Sequence, residues 1–101
     1  MLKINMSAEN GKLVVTLEGR LDALSSPKFE EKMGAALENT TAITIDMEKL
    51  EYISSAGLRT ILEAEQCLED NDCEQIKVIN ANEAIKEILE LTGFDEVVSI
   101  E

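Results

Sequence analysis

Two adjacent serines, Ser54 and Ser55, are the side chains of this sequence best suited to a chemical modification. They follow a predicted strand and open a predicted helix. At a helix N-terminus, free backbone N–H groups and the helix dipole favour an anion, so a phosphate on either serine would be stabilised there. A serine at a helix start is also a common N-cap, whose hydroxyl accepts a hydrogen bond from the first turn. Position alone favours the cap and leaves the modification open.

The other chemically capable residues form no recognisable catalytic or metal site. The chain has no histidine, so a Ser-His or Cys-His nucleophile pair cannot form. Residues 25–28 fit Ser-x-x-Lys formally, without the companion motifs of such enzymes. Residues 70–74 begin like a calcium loop, but Gln75 and Ala81 stand where a glycine and the final glutamate belong. No glycine-rich phosphate-binding loop occurs. We therefore predict that the protein is not an enzyme and binds no metal or cofactor.

Composition limits the partners and the compartment. The 101 residues carry a formal net charge of −12, which opposes binding to nucleic acid or to an anionic membrane surface. No apolar run approaches the ~20 residues of a membrane span, and residues 1–6 alternate in polarity, unlike a signal peptide. Cys67 and Cys73 are then expected to be reduced thiols. The expected location is the cytoplasm, and the acidic excess fits either solubility or a basic protein partner.

The spacing of apolar residues predicts the elements that position the two serines. Apolar residues alternate with polar ones over residues 2–6 and 13–17, and Asn10-Gly11 between them predicts a β-hairpin. Gly19 is expected to end the second strand, and the three residues after it to form a loop. Ser26 followed by Pro27 is typical of a helix start, with the Ser26 hydroxyl as the cap and the proline in the first turn. The apolar face of that first helix consists of Phe29, Met33, Ala36 and Leu37.

The second half of the chain alternates strands with helices. Residues 43–47 predict a third strand, and residues 48–52 a connection to the helix that opens at the two serines. Residues 75–79 predict a fourth strand, and residues 97–100 a short final one. The inner side of the second helix is predicted to carry Leu58, Ile61, Leu62 and Leu68. The third helix is predicted to be capped by Asn82, to bury Ile85, Ile88 and Leu89, and to stop at Gly93.

This order predicts a single α/β domain over residues 1–101. Alternating strands and helices favour parallel neighbours joined by right-handed crossovers, and the opening hairpin makes the sheet mixed. We expect four or five strands covered by three or more helices. The carboxyl ends of the second and third strands should then share one edge, where sites gather in open α/β sheets. That edge would hold Asp22 close to Ser55.

Two segments of the chain resemble the STAS family, named for sulfate transporters and anti-sigma factor antagonists. Residues 52–59, Tyr-Ile-Ser-Ser-Ala-Gly-Leu-Arg, resemble the family's phosphorylation segment, and residues 18–22 resemble its Gly-x-Leu/Ile-Asp segment. Anchored on Gly57 and Leu58, the family's phosphoacceptor serine falls on Ser55. The order of strands and helices matches the family along essentially the whole chain.

Two positions depart from the family pattern. Ser54 stands where many members have aspartate, and Ala56 stands where they have serine or threonine. Asp22 supplies a carboxylate that partly compensates for the first change. The resemblance implies that the surface around Ser55 comprises Asp22, Ser54, Ala56, Gly57 and Leu58.

The resemblance also implies a function. In the anti-sigma factor antagonist branch, the unphosphorylated protein binds an anti-sigma factor that is also a GHKL-type serine kinase. Phosphorylation of Ser55 with ATP would release it, and a PP2C-type phosphatase would restore the binding form. A bacterial cytoplasmic switch, monomeric or weakly dimeric, is therefore expected. The alternative is a STAS-type module that binds a small ligand or nucleotide, or serves as a scaffold in another signalling assembly.

Overall fold

One mixed sheet of five strands, in the order β1-β2-β3-β4-β5, organises the chain. The computed structural model describes all residues from 1 to 101. The predicted α/β fold, with four or five strands covered by three or more helices, is confirmed: the sheet has five strands and three α-helices cover it. The strands are β1 (Leu2–Glu9), β2 (Lys12–Leu21), β3 (Ala42–Ile53), β4 (Lys77–Ile79) and β5 (Ser99–Ile100). The helices are α1 (Ser26–Leu37), α2 (Ser55–Asp70) and α3 (Glu83–Leu91), followed by a 3₁₀ turn (Phe94–Glu96).

The opening hairpin has the predicted tight turn. β1 and β2 are antiparallel, and their last pair, Glu9 with Lys12, flanks Asn10-Gly11. Both turn residues have positive φ, 53° and 81°, as a two-residue type I′ turn requires. The remaining strand pairs are parallel. Because the strands follow one another across the sheet, right-handed crossovers place all three helices on one face.

The core lies between that face and the helices and is aliphatic, as the composition predicts. Along β2 and β3, alternate residues such as Val15 and Ile45 are fully buried. Phe29 and Met33 of α1 and Ile61 of α2 cover them. The side chains between them, on the opposite face of the sheet, are partly exposed. These core contacts therefore fix the position of α2 on the ends of the strands.

The predicted ends of the second and third strands were wrong. β2 continues past Gly19 to Leu21, and β3 runs through residues 48–52, where a connection was expected. Gly19 has φ +102°, and the pairing between the strands shifts on either side of it. A Cβ at this position would overlap the carbonyl oxygen of Met1. The glycine therefore permits a bulge within the strand, and the strand does not end there.

Two details of the helices also differ from the sequence prediction. Ser26 is the first residue of α1 and is buried; the N-cap is Ser25, whose hydroxyl caps no N–H of the helix. Leu62 is 40 % exposed, and Ala64 and Glu65 are buried in its place. α2 packs against α1 as well as against the sheet, which turns its buried stripe away from Leu62.

The end of the chain follows the prediction in outline. Gly93, with φ 79°, follows Thr92, the C-cap of α3, and β5 is the expected short final strand. β4 is shorter than the predicted 75–79 because Ile76 N–H donates to the Glu65 carboxylate at 2.8 Å. Both cysteines are free thiols. No helix is long and apolar enough to cross a bilayer.

Candidate functional site

The ends of β2 and β3 bring two loops to one place. Leu21 pairs with Ile53, and the N–H of Ser54 donates to the Leu21 carbonyl at 2.8 Å. The residues that follow, 22–25 after β2 and 54–55 after β3, therefore lie side by side. We call these six residues the carboxyl edge. The sequence predicts that Asp22 and Ser55 share this edge, and the topology places both of them on it.

Ser54 occupies the N-cap of α2. Its backbone is extended (φ −94°, ψ 169°), and its hydroxyl accepts a hydrogen bond from Gly57 N–H at 3.3 Å. Its carbonyl accepts the first helical bond from Leu58 N–H at 3.0 Å. The side chain is half-buried. Ser54 therefore already uses its hydroxyl to start the helix.

Ser55 is the first residue of α2 and is exposed. Its hydroxyl has no hydrogen-bond partner within the chain, and the N–H groups of Ser55 and Ala56 donate to no other group. Two free donors at the positive end of a helix dipole favour an anion at this position. Of the two serines, Ser55 has the accessible hydroxyl.

Gly57 and Leu58 support this surface from below. Both are buried, and Leu58 belongs to the hydrophobic core. A Cβ on Gly57 would lie 2.6 Å from Cγ of Leu21 and 3.3 Å from Cγ1 of Ile53. Glycine is therefore required where α2 crosses the ends of β2 and β3. The sequence assigned Gly57 and Leu58 to the surface around Ser55, and their burial gives them a supporting role instead.

The loop after β2 is fixed by Asp22 and Ser25. The Asp22 carboxylate accepts from the N–H groups of Leu24 and Ser25, both at 3.1 Å. The Ser25 hydroxyl accepts from Asp22 N–H and donates to the Arg20 carbonyl, both at 2.9 Å. The hydrogen bond from Ser25 N–H, followed by one from the Ser25 hydroxyl to the carboxylate at 3.1 Å and by that from Leu24 N–H, holds the pKa of Asp22 below its ordinary value. The carboxylate is thus charged at neutral pH and bonded within its own loop, and none of its hydrogen bonds reaches Ser55.

Three exposed side chains here were not among the site residues predicted from the sequence. Leu24, on the carboxyl edge, is 93 % exposed. Tyr52, just before it on β3, is 37 % exposed and lies under the guanidinium of Arg20, 4.6 Å from the ring centroid. Arg59 is exposed one helical turn after Ser55. Leu24 could have been identified from the sequence, because it is an apolar residue in a loop and belongs to no helical or strand pattern.

The larger cavities of the protein lie away from Ser55. The largest, about 660 Å³, lies between α2 and the 3₁₀ turn. Two others, about 480 and 460 Å³, lie between β1 and α1 and between the ends of α1 and α2. None of these three is lined by a residue of the carboxyl edge, and the exposed Leu24 and Ser55 make that edge an open surface. Such a surface suits a macromolecule better than an enclosed small ligand.

Comparison with known proteins agrees with the resemblance found in the sequence. The model of the STAS domain family matches residues 3–101. BtrV of Bordetella bronchiseptica, provisionally named an anti-sigma factor antagonist, is 27 % identical over 94 residues, covering 92 % of this chain and 80 % of BtrV. An anti-sigma F factor antagonist of Paenibacillus polymyxa is 26 % identical over 101 residues, covering 98 % of this chain and 86 % of that protein. The structure of the anti-sigma factor antagonist SpoIIAA in its unphosphorylated form superposes with a TM-score of 0.86 at 18 % identity, covering 98 % of this chain and 88 % of SpoIIAA.

Proposed function

Because the chain belongs to the STAS domain family, we propose that it is an anti-sigma factor antagonist that is switched by phosphorylation of Ser55. In the unphosphorylated form, the carboxyl edge docks on an anti-sigma factor that is also a GHKL-type serine kinase. The kinase transfers a phosphoryl group from ATP to the Ser55 hydroxyl, and the phosphorylated protein dissociates. A PP2C-type phosphatase removes the phosphate. The protein itself catalyses no step of this cycle, which takes place in the cytoplasm.

The observation that carries this proposal is the environment of Ser55. Its hydroxyl is exposed and unbonded on an open edge, whereas the neighbouring Ser54 hydroxyl is committed to the helix cap. A kinase needs an accessible hydroxyl that it can orient toward the γ-phosphate. Of the two serines, Ser55 alone meets that requirement without unwinding the first turn of α2.

The same environment explains why a phosphate would be stable on Ser55 and would still block docking. The free N–H groups of Ser55 and Ala56 can donate to phosphate oxygens. The Arg59 side chain, one turn further along, adds a positive charge at the spacing that suits an ion pair on a helix. The phosphate adds about −1.5 to −2 charges. A partner surface that fits a neutral hydroxyl would have to desolvate that charge, which weakens the complex.

The partner surface that we propose differs from the one first assigned by sequence. It consists of Ser55 with Leu24 and the Asp22 loop beside it, and Gly57 and Leu58 hold α2 in place beneath it. An exposed leucine in a loop fixed by several hydrogen bonds gives a partner a preorganised apolar contact. Ala56, which is half-buried, adds a small neutral contact.

The proposal is tested by mapping the phosphorylated residue. The purified chain is incubated with ATP and each GHKL-type anti-sigma factor kinase of its source organism, and the modified peptide is sequenced by mass spectrometry. We expect one phosphate on Ser55 in the wild type and in Ser54→Ala, and none in Ser55→Ala. Ser54→Ala is the matched control, because it removes the adjacent hydroxyl and costs only the cap, about 1 kcal/mol of stability. Phosphate on Ser54, or undiminished phosphorylation of Ser55→Ala, would refute the proposal.

A further inference from the structure

The two edges of the sheet are very different. The edge at β5 is a strand of two residues, whereas the edge at β1 is a strand of eight. β1 contains no proline, and its pairing with β2 runs without a shift from Leu2–Gly19 to Glu9–Lys12. Long, regular edge strands present unpaired backbone groups that can pair with another strand. β1 has few of the features that prevent such pairing.

The hairpin turn determines which backbone groups of β1 are free. A two-residue turn is closed by a hydrogen bond between its flanking residues, so Glu9 and Lys12 form a hydrogen-bonded pair. Hydrogen-bonded pairs alternate along an antiparallel ladder, and therefore the odd-numbered residues of β1 bond to β2. The N–H and C=O groups of the even-numbered residues point away from the sheet; these residues are Leu2, Ile4, Met6 and Ala8.

The side chains of β1 are also incompletely covered. On the helix side, Leu2, Ile4 and Met6 pack against the core but stay half-exposed. The side chains on the other face are exposed and polar; they are Lys3, Asn5, Ser7 and Glu9. The free edge of β1 thus combines unpaired backbone groups with partly uncovered apolar side chains.

The order of residues in β1 is complementary to itself. If a second copy of β1 runs antiparallel with its Met6 opposite Met6, then Lys3 faces the partner's Glu9. In the same register, Asn5 faces the partner's Ser7. The two-fold axis repeats both pairs, so two opposite-charge pairs and two polar pairs form at once. Outward-facing residues also meet outward-facing residues, which a hydrogen-bonded ladder requires.

Other registers lose this match. A shift that centres the pairing on Asn5 places Lys3 opposite the partner's Ser7 and leaves Glu9 opposite Met1. A parallel arrangement places Lys3 opposite Lys3 and Glu9 opposite Glu9, and like charges directly opposite are destabilising. Only the antiparallel register about Met6 pairs both charges and keeps the backbone in phase.

We propose that β1 is a self-association edge, through which two copies of this chain pair antiparallel about Met6 to form a continuous ten-stranded sheet, twice the five strands of one copy. The contact is small, so the dimer is weak, with a Kd of roughly 10–1,000 μM. Because the two copies of β1 run antiparallel, every strand of one copy is reversed relative to the same strand of the other, and the two carboxyl edges lie at opposite ends of the sheet. Each Ser55 therefore stays accessible, and the dimer does not depend on the function proposed above.

A charge-exchange series tests the register. Sedimentation equilibrium of the full chain is measured up to roughly millimolar concentration at an ionic strength of about 0.15 M, because the net charge of −12 repels other copies at low salt. We expect Lys3→Glu and Glu9→Lys each to weaken the dimer roughly tenfold, since each turns two attractive pairs into repulsive ones. The double variant restores the charge pairing and should regain most of the wild-type affinity.

The double variant is the internal control of this series. Within one copy, Lys3 also faces Glu18 and Glu9 faces Lys12. The double variant disturbs both of these contacts, so a recovered dimer cannot result from repair within the chain. Far-UV circular dichroism and thermal melts verify that each variant is folded.

Two further variants test the backbone hydrogen bonds between the two copies of β1 and the position of the two-fold axis. Met6→Pro removes an outward N–H that β2 does not use, so the monomer should fold while the dimer is lost. In a Cys67→Ser/Cys73→Ser background, Met6→Cys should cross-link two copies on oxidation by glutathione disulfide, and Ile4→Cys should not, because only residue 6 faces itself. A chain that remains monomeric throughout, a dimer insensitive to Met6→Pro, or a double charge variant as weak as the single ones would overturn the proposal.

Discussion

Gly57→Ala tests how α2 is seated on the strand ends. The added Cβ would lie 2.6 and 2.7 Å from Cγ and Cδ2 of Leu21 and 3.3 Å from Cγ1 of Ile53. Neither neighbour can move away easily, because both are buried in the core. The variant must therefore lift the first turn of α2 or force Leu21 from its rotamer.

The size of the effect follows from two opposing terms. Overpacking a close-packed core costs about 1–3 kcal/mol. Replacing a helical glycine with alanine gains up to about 1 kcal/mol. We expect Gly57→Ala to lower the free energy of unfolding by about 1–2 kcal/mol, or the Tm by roughly 5–15 °C for a domain of this length.

The assay is urea denaturation with Gly34→Ala as the matched control. Gly34 is in the middle of α1, and a Cβ there would meet nothing within 4 Å. The control should therefore be stabilised by about 0.5–1 kcal/mol. If Gly57→Ala were as stable as Gly34→Ala, glycine would not be required at the start of α2. Because a lifted first turn of α2 would displace Ser55, we also expect the kinase to phosphorylate Gly57→Ala more slowly; a wild-type rate would show that the seating of α2 does not control Ser55.

Three further predictions concern the carboxyl-terminal part of β2 and the loop that follows it. Gly19→Ala should lower the free energy of unfolding, measured by urea denaturation, by about 2 kcal/mol or more, since a side chain is strained at φ +102° and would overlap a carbonyl oxygen. An unchanged free energy of unfolding would mean that the bulge does not require glycine. Leu24→Ala should leave the Tm unchanged but weaken binding to the anti-sigma factor roughly tenfold. The control Leu91→Ala, at a residue of α3 that is 79 % exposed, should change neither the Tm nor the binding. Equal effects of the two variants on binding would show that Leu24 is not part of the interface. Because the pKa of Asp22 is lowered in the folded state, its stabilisation is complete at neutral pH and is lost as the pH falls through that lowered pKa. The difference in unfolding free energy between wild type and Asp22→Asn should therefore shrink on acidification from roughly pH 5 to pH 2, and a constant difference would show that the carboxylate charge is not involved.

Much of the fold was predictable because its signals are local. The Asn10-Gly11 turn needs positive φ at both residues, and few other residue pairs supply it. The alternation in β2 and the periodicity of α1 report burial directly. The position of Ser55 at the start of a helix followed from the same patterns.

The parts that could not be predicted depend on contacts between distant segments. Gly19 resembles a strand end in sequence, but it allows β2 to bulge where Met1 approaches. The extension of β3 depends on that bulge, because residues 48–52 pair with the residues around Gly19. Gly57 is buried because α2 packs against Leu21 there. The family pattern predicts a glycine at this position but does not predict that it is buried.

The switch itself is tested most directly by the affinity of two forms of one protein for one partner. Unphosphorylated chain, and chain phosphorylated at Ser55, are each titrated by calorimetry into the anti-sigma factor kinase that modifies it, with nucleotide held constant. The proposed mechanism predicts that phosphorylation raises the Kd by about 100-fold or more, because a doubly charged group must be desolvated at the contact. Equal Kd values for the two forms, with phosphate verified on Ser55, would contradict it.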